Sequence, residues 1–276
     1  MTEGRLPDFI IAGAAKSATT WLQQSLMQSP CVSMPSHEPH FFSRRYEEGI
    51  GAYLTELGSA DPGVLLGEKS NSYLTEPAAA GRIRRHLPEV RLIFQLRDPV
   101  ARAYSDYMML LRRGSVDRDI ARHLHPRHAS TERFLSDGCY AQHLSRFYES
   151  FAPEQILLLR YEDILTAPQT QLDRFAGHLG LTDRLAPPLS GRVKDARTAT
   201  VPRPLRRLLR PFRPMLDPVR KTTPMRWLRG LVARPETYPE FDKDLRNAVA
   251  EFYAPQIDAL QKLTGVDFTA WQSKQI

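Results

Sequence analysis

The segment Asp8-Phe-Ile-Ile-Ala-Gly-Ala-Ala-Lys-Ser-Ala-Thr-Thr-Trp21 constrains this chain more than any other. Phe9 to Ala12 form a continuous apolar run, the pattern of a strand buried on both faces. Gly13 permits a tight turn and Lys16 supplies a positive charge. Thr19 and Thr20 then open Trp21-Leu-Gln-Gln-Ser-Leu-Met27, where apolar residues recur at helical spacing. A helix start carries unpaired N–H groups and the positive end of a dipole, so it suits an anion. The usual phosphate loop ends Gly-Lys-Ser/Thr and uses its hydroxyl on magnesium. Here Lys16 comes three residues after Gly13, and Ala18 precedes Thr19. The shorter form predicts an anion clamp that works without a metal.

A chain of 276 residues can bury a substantial core around such a unit. Its 42% hydrophobic and 25% charged residues are those of a water-soluble globular protein. Cys31 and Cys139 make neither a disulfide framework nor a metal-ligand spacing, and a reducing compartment is expected. No signal-like segment opens the chain and no apolar run is long enough to span a bilayer, so the expected location is cytoplasmic.

The net charge of +7 is concentrated. Residues 203–234 hold ten Lys or Arg against the single acid Asp217, leaving the rest of the chain slightly acidic. Leu205, Leu208, Leu209, Phe212, Trp227, Leu228 and Leu231 lie among those arginines. A nucleic-acid binder would spread its charge over a folded face, so no nucleic-acid partner is expected. The segment reads as a basic helical insertion that could lie on an anionic membrane surface or close over an acidic substrate. A solvated helix pair between Pro202 and Pro235 is the plainer reading.

Along the rest of the chain, residues 29–48 read as irregular. Val64-Leu-Leu66 is the next apolar run, leading to Gly67-Glu-Lys-Ser70. A helix is expected from Pro77 to His86 and a strand over Arg91–Leu96. Pro99, at a first helical turn, opens a helix to about Arg113. After a polar stretch, 114–133, a helix spans Tyr140–Phe151, a strand Gln155–Leu159, and a helix Pro168–Leu179 ended by Gly180. A last amphipathic helix covers 240–264. This alternation predicts one α/β domain, residues 1–276, with a P-loop-like central parallel sheet flanked by helices on both faces.

Ligands of open α/β sheets bind at the carboxyl ends of the strands. Lys16, Lys69 and Arg97 are expected just past three successive strand ends, a cationic rim suited to a polyanion. Ser105, two turns into the helix after Arg97, could place its hydroxyl on a second phosphate. By themselves, Glu38 reads as a surface acid and His40 as a histidine packed beside Phe41 and Phe42.

Four motifs in order carry a resemblance: Gly13-Ala-Ala-Lys-Ser-Ala-Thr-Thr20, Glu38-Pro-His-Phe-Phe42, Gly67-Glu-Lys-Ser70 and Leu96-Arg-Asp-Pro-Val-Ala-Arg-Ala-Tyr-Ser105. Together they resemble the carbohydrate sulfotransferases that use 3′-phosphoadenosine-5′-phosphosulfate (PAPS), and in particular the heparan sulfate N- and 3-O-sulfotransferase branch. The likeness returns more weakly at Tyr140-Ala-Gln-His-Leu144, Gln155–Leu159 and Tyr238 to Trp271. It implies the sulfotransferase fold, PAPS as co-substrate with PAP as product, and no metal. The implied acceptor is a saccharide, glycolipid or other hydroxylated compound, attacked through a hydroxyl in preference to an amine.

The resemblance also implies roles. Lys16, Ser17, Ala18, Thr19, Thr20 and Trp21 would wrap the 5′-phosphosulfate, while Arg97 and Ser105 would hold the 3′-phosphate. Glu38 would be the general base, with Lys69 near the sulfuryl group and His40 beside the reacting atoms. The branch often carries a Lys-Gly-Arg loop before a Tyr-Pro element. This chain has Ala233-Arg-Pro-Glu-Thr237, leaving Arg234 to serve, and it lacks the branch's nearby disulfide. Acceptor choice is expected to lie in 29–60 and 112–138. Two other classes compete: an ATP-dependent P-loop kinase, and a non-catalytic membrane-peripheral protein on the same fold.

Overall fold

The apolar run at Phe9 becomes the centre of a sheet because every one of its side chains finds a buried partner. The structure, a computed structural model, describes residues 5–129, 132–188 and 238–272. The segment 203–234, including Arg234, lies outside the described residues. Five strands are present: β1 (Phe9–Gly13), β2 (Val32–Ser33), β3 (Leu65–Lys69), β4 (Arg91–Leu96) and β5 (Ile156–Arg160). They lie in the order β2-β3-β1-β4-β5, all parallel.

The helices between them are α1 (Thr19–Leu26), α2 (Ile50–Leu57), α3 (Ala79–His86), α4 (Pro99–Arg113), α5 (Ile120–Leu124), α6 (Arg133–Ser136), α7 (Tyr140–Ser150), α8 (Tyr161–Thr166) and α9 (Pro168–Leu179). After the undescribed stretch come α10 (Lys243–Thr264) and α11 (Thr269–Gln272).

Alternation along the strands builds two cores, one on each side of the sheet. Ile10 and Ala12 of β1 join Leu92, Phe94 and Leu96 of β4 under α3, α4, α7 and α10. Phe9, Ile11 and Ile93 face the other way, against Leu22 and Leu26 of α1 and Leu172, Phe175 and Leu179 of α9. Helices therefore cover both faces, as expected. Asp98 caps α4 by accepting from Val100 N at 2.9 Å, with Pro99 at the first turn. Gly180 closes α9 in the left-handed conformation, φ 70°.

Three readings need correction. The stretch 29–48 is not wholly irregular. It contains β2, a π-helical turn over Phe41–Arg45 and a 3-10 turn over Tyr46–Glu48. A two-residue strand is too short to show a period, but α2 displayed one: Ile50, Tyr53, Leu54 and Leu57 share a helical face, with Tyr53 and Leu57 buried. Lys69 is the last residue of its strand rather than the first beyond it, and that strand is the third. The polar stretch 114–133 contains α5, whose Ile120, His123 and Leu124 are buried.

Candidate active site

Parallel strands deliver all their C-terminal ends to one edge, and β1 sits at the switch point. The chain passes from β1 to β2 and β3 on one side and then crosses to β4 on the other. The loop after β1 therefore lies between the ends of β3 and β4. Lys16 and Ala18 hold φ at 73° and 61°, a left-handed region that non-glycine side chains seldom adopt. Ala18 leads into α1 without a side-chain cap. By helix construction the first-turn N–H groups have no acceptor within the helix.

Neighbouring strands pin this loop. Gln95 lies on the α1 side of β4, fully buried, and its Nε2 donates to the carbonyl oxygen of Ser17. Arg97 Nη1 donates to the carbonyl oxygen of Lys16 at 3.1 Å, and the Arg97 guanidinium lies over the Tyr161 ring at 4.5 Å. Three polar atoms here are buried with no hydrogen-bond partner among the described residues: Ser17 Oγ, Gln95 Oε1 and Arg97 Nε. Gln95 was missed as a loop anchor, although one polar residue inside Arg91-Leu-Ile-Phe-Gln-Leu96 was a visible signal.

On the β3 side, Glu38 and Lys69 meet. Lys69 Nζ donates to Glu38 Oε1 at 2.9 Å and to Thr20 Oγ1 at 3.4 Å. Asn71 adds two more contacts, N to Glu38 Oε2 at 3.1 Å and Nδ2 to Oε1 at 3.2 Å. Burial would raise the Glu38 pKa, but the Lys69 charge and hydrogen bond, with the Asn71 N–H, outweigh it and hold the carboxyl below its ordinary value. Glu38 is an ordered carboxylate, not a surface acid.

His40 Nε2 stands 3.7 Å from Glu38 Oε2. Burial pulls its pKa down against the pull of Glu38, which favours the uncharged ring. Its Nδ1 is 2.7 Å from Ser72 Oγ. The backbone of His40 is left-handed, φ 54°, and its N–H donates to Ser70 Oγ at 2.8 Å. Ser70 Oγ donates in turn to Glu68 Oε2 at 2.7 Å.

Lys16, Ser17, Ala18, Thr19, Thr20, Lys69, Glu38, His40 and Arg97 thus share one rim. Trp21 is half-buried in the first turn of α1. Ser105 is half-buried on α4, one turn after Ala101. Ala101, Tyr104, Met108, Arg97, Phe241, Arg246 and Trp271 line a cleft of about 220 Å³ beside the loop. Among the described residues no hydrogen bond joins Ser105 to Arg97.

The rim thus sets a paired carboxylate and ammonium, Glu38 and Lys69, beside the loop that leads into α1. Comparison with known proteins identifies the family. The human heparan sulfate glucosamine 3-O-sulfotransferase 3B1 is 29% identical over 269 residues, covering 96% of this chain and 65% of that protein. Human 3-O-sulfotransferase 3A1 is likewise 29% identical, with 62% of its length covered. The chain therefore spans less than two thirds of these relatives. A bifunctional heparan sulfate N-deacetylase/N-sulfotransferase of Caenorhabditis elegans is 24% identical over 66% of this chain and 23% of its own length. A solved sulfotransferase from Alicyclobacillus acidocaldarius has the same fold, with TM-score 0.71, 23% identity, and 97% and 99% of the two chains covered. The sulfotransferase domain family matches residues 6–195, which include the loop after β1, Glu38, His40, Lys69, Arg97 and Ser105, and the chain belongs to that family.

Proposed function

We propose that this chain transfers a sulfuryl group from PAPS to a hydroxyl of a saccharide. The observation that carries the reading is the position of Lys69. It contacts both Glu38, the candidate base, and Thr20 in the first turn of α1, just after the anion loop. The residues present suit a donor with anions at both ends. The first turn of α1 and the partnerless Ser17 Oγ suit a 5′-phosphosulfate, and the partnerless Arg97 Nε suits a 3′-phosphate.

Bound PAPS would supply the sulfuryl group, the acceptor oxygen forming the new S–O bond as the bond to the leaving phosphate breaks. Lys16, Ser17, Ala18, Thr19, Thr20 and Trp21 would hold the 5′ end, and Arg97 with Ser105 the 3′-phosphate. Glu38 would take the proton of the attacking hydroxyl. Lys69 would neutralise charge on the transferring oxygens and Lys16 charge on the leaving one, so the reading asks for no metal. Neutral His40 beside Glu38 would orient the acceptor. A carbohydrate acceptor is supported by relatives whose names specify heparan sulfate glucosamine 3-O-sulfation.

The test is incubation with labelled PAPS and a glycan panel that includes heparan sulfate, followed by mass spectrometry for added sulfate. Lys16→Ala and Glu38→Gln should both abolish transfer, while only Lys16→Ala greatly weakens PAP binding. Near-full turnover by Glu38→Gln would remove the base assignment. Calorimetry showing tighter binding of ATP than PAP would favour a kinase instead.

A further inference from the structure

Asn71 stands just beyond β3, between the two halves of the site, and none of the four sequence motifs gives it a role. Its carboxamide oxygen accepts from Thr19 Oγ1 at 2.8 Å. Its Nδ2 donates to Glu38 Oε1 at 3.2 Å and its backbone N–H to Glu38 Oε2 at 3.1 Å. The amide orientation is dictated by Glu38: turned over, it would set the amide oxygen against the carboxylate oxygen to which Nδ2 now donates. One residue therefore grips both oxygens of Glu38 and the first residue of α1. Thr19 is buried, 3% exposed, so its hydroxyl has few alternatives.

The contacts also distinguish the two carboxylate oxygens. Oε1 accepts from the Lys69 ammonium and from Asn71 Nδ2. Among the described residues, Oε2 accepts only the Asn71 N–H at hydrogen-bond distance, with His40 Nε2 farther off at 3.7 Å. A carboxylate oxygen has two lone-pair directions. Oε1 is saturated and Oε2 keeps one direction open.

We propose that Asn71 is a positioning residue that locks the Glu38 carboxylate to the donor loop through Thr19 and reserves Oε2 for the acceptor proton. This rests on Glu38 being the base. It makes the base responsive to the donor: an anion at the start of α1 competes for the Thr19 hydroxyl, and Asn71 carries that change to Glu38.

The link can be read without an acceptor, by carbon NMR of the ¹³C-labelled carboxyl of Glu38 in the full chain, assigned by its loss in Glu38→Gln. The groups facing this carboxyl are Lys69 and the buried Glu68 from β3 and His40 from its own loop. All three are retained in the variants. In the wild type, PAP should shift the Glu38 signal. In Asn71→Ala that response should fall at least about threefold with PAP affinity kept within about threefold, because the side-chain link is gone but the loop remains. Asn71→Asp keeps the shape and the Thr19 contact, so it should fold even if Asn71→Ala does not. Its second carboxylate should raise the Glu38 midpoint by at least about one pH unit.

An unchanged PAP response in Asn71→Ala, or an unchanged midpoint in Asn71→Asp, would overturn the proposal while leaving the base assignment standing. Failure of the wild type to bind PAP would overturn both the donor reading and this one. Wild-type turnover by Glu38→Gln would remove the base and with it the positioning role, even if the NMR coupling were present.

Discussion

Lys69 Nζ lies 2.9 Å from Glu38 Oε1, with 3% of the lysine side chain and 23% of the glutamate side chain exposed. The pair is shielded on the lysine side and open on the glutamate side, where an acceptor can approach. Replacing Lys69 by Met should lower kcat about 10²–10³-fold, the usual effect of losing one charge-stabilising donor. It should also move the pH profile. Lys69 is the main influence lowering the Glu38 pKa against burial. Without it burial dominates, the carboxyl stays protonated to higher pH, and the acid limb of kcat/KM moves up. A Lys69→Met enzyme whose acid limb stays in place would show that the limb belongs to another group.

Arg97 bears on donor selectivity. Its Nη1 is engaged with the Lys16 carbonyl and its Nε has no partner among the described residues, so one guanidinium both braces the loop and offers a buried donor. Arg97→Met should weaken PAP binding by about 10–100-fold, the range for losing a hydrogen bond to a charged group. The loss for AMP, which lacks the 3′-phosphate, should be smaller. Ser105→Ala should cost about tenfold or less for PAP alone. Calorimetry on the two nucleotides measures both, and a wild type indifferent to the 3′-phosphate would refute the assignment.

Much of this candidate site is legible in the sequence because its cations sit at strand ends, and strand ends can be read from apolar runs. Phe9–Gly13 stood out because a strand buried on both faces has no polar interruption, and Arg91–Leu96 because Gln95 is the one polar residue inside an otherwise apolar run. The β3 end was read too early since Gly67-Glu-Lys69 looks polar, yet Glu68 and Lys69 are buried by side-chain partners that periodicity does not reveal. Glu38 was legible only as part of a motif. Its carboxylate is ordered by residues 31 and 33 positions away, and contacts of that range leave no local trace. Asn71 was invisible for the same reason.

Glu68 should make stability depend on pH. Burial raises its pKa to about 7, against hydrogen bonds from Tyr73, Ser70 and Tyr53. In the unfolded chain the carboxyl loses its proton near pH 4–5. Between that value and about 7 the native state holds the extra proton, so stability falls as pH rises and levels off above 7. Relative to Glu68→Gln, which cannot ionise, the wild type should lose roughly 2–3 kcal/mol between pH 5 and pH 8. Denaturant melts at the two pH values test this, and parallel pH trends in the two proteins would contradict it.

Gly67 should be irreplaceable for a different reason from a turn glycine. It lies within β3 directly opposite Phe9 of β1, and a Cβ added there would come within 2.2–2.5 Å of three Phe9 ring carbons. Neither can yield easily: Phe9 is fully buried among Ile11, Leu22 and Ile93, and Gly67 is held in the ladder with β1. Gly67→Ala should therefore cost about 3 kcal/mol, the upper end of ordinary overpacking. The double change Gly67→Ala with Phe9→Leu should recover part of that loss, because the smaller side chain vacates the space the methyl needs. Thermal unfolding of the two variants reads this directly: a double variant no more stable than the single one would mean that the glycine is required by the backbone rather than by the ring.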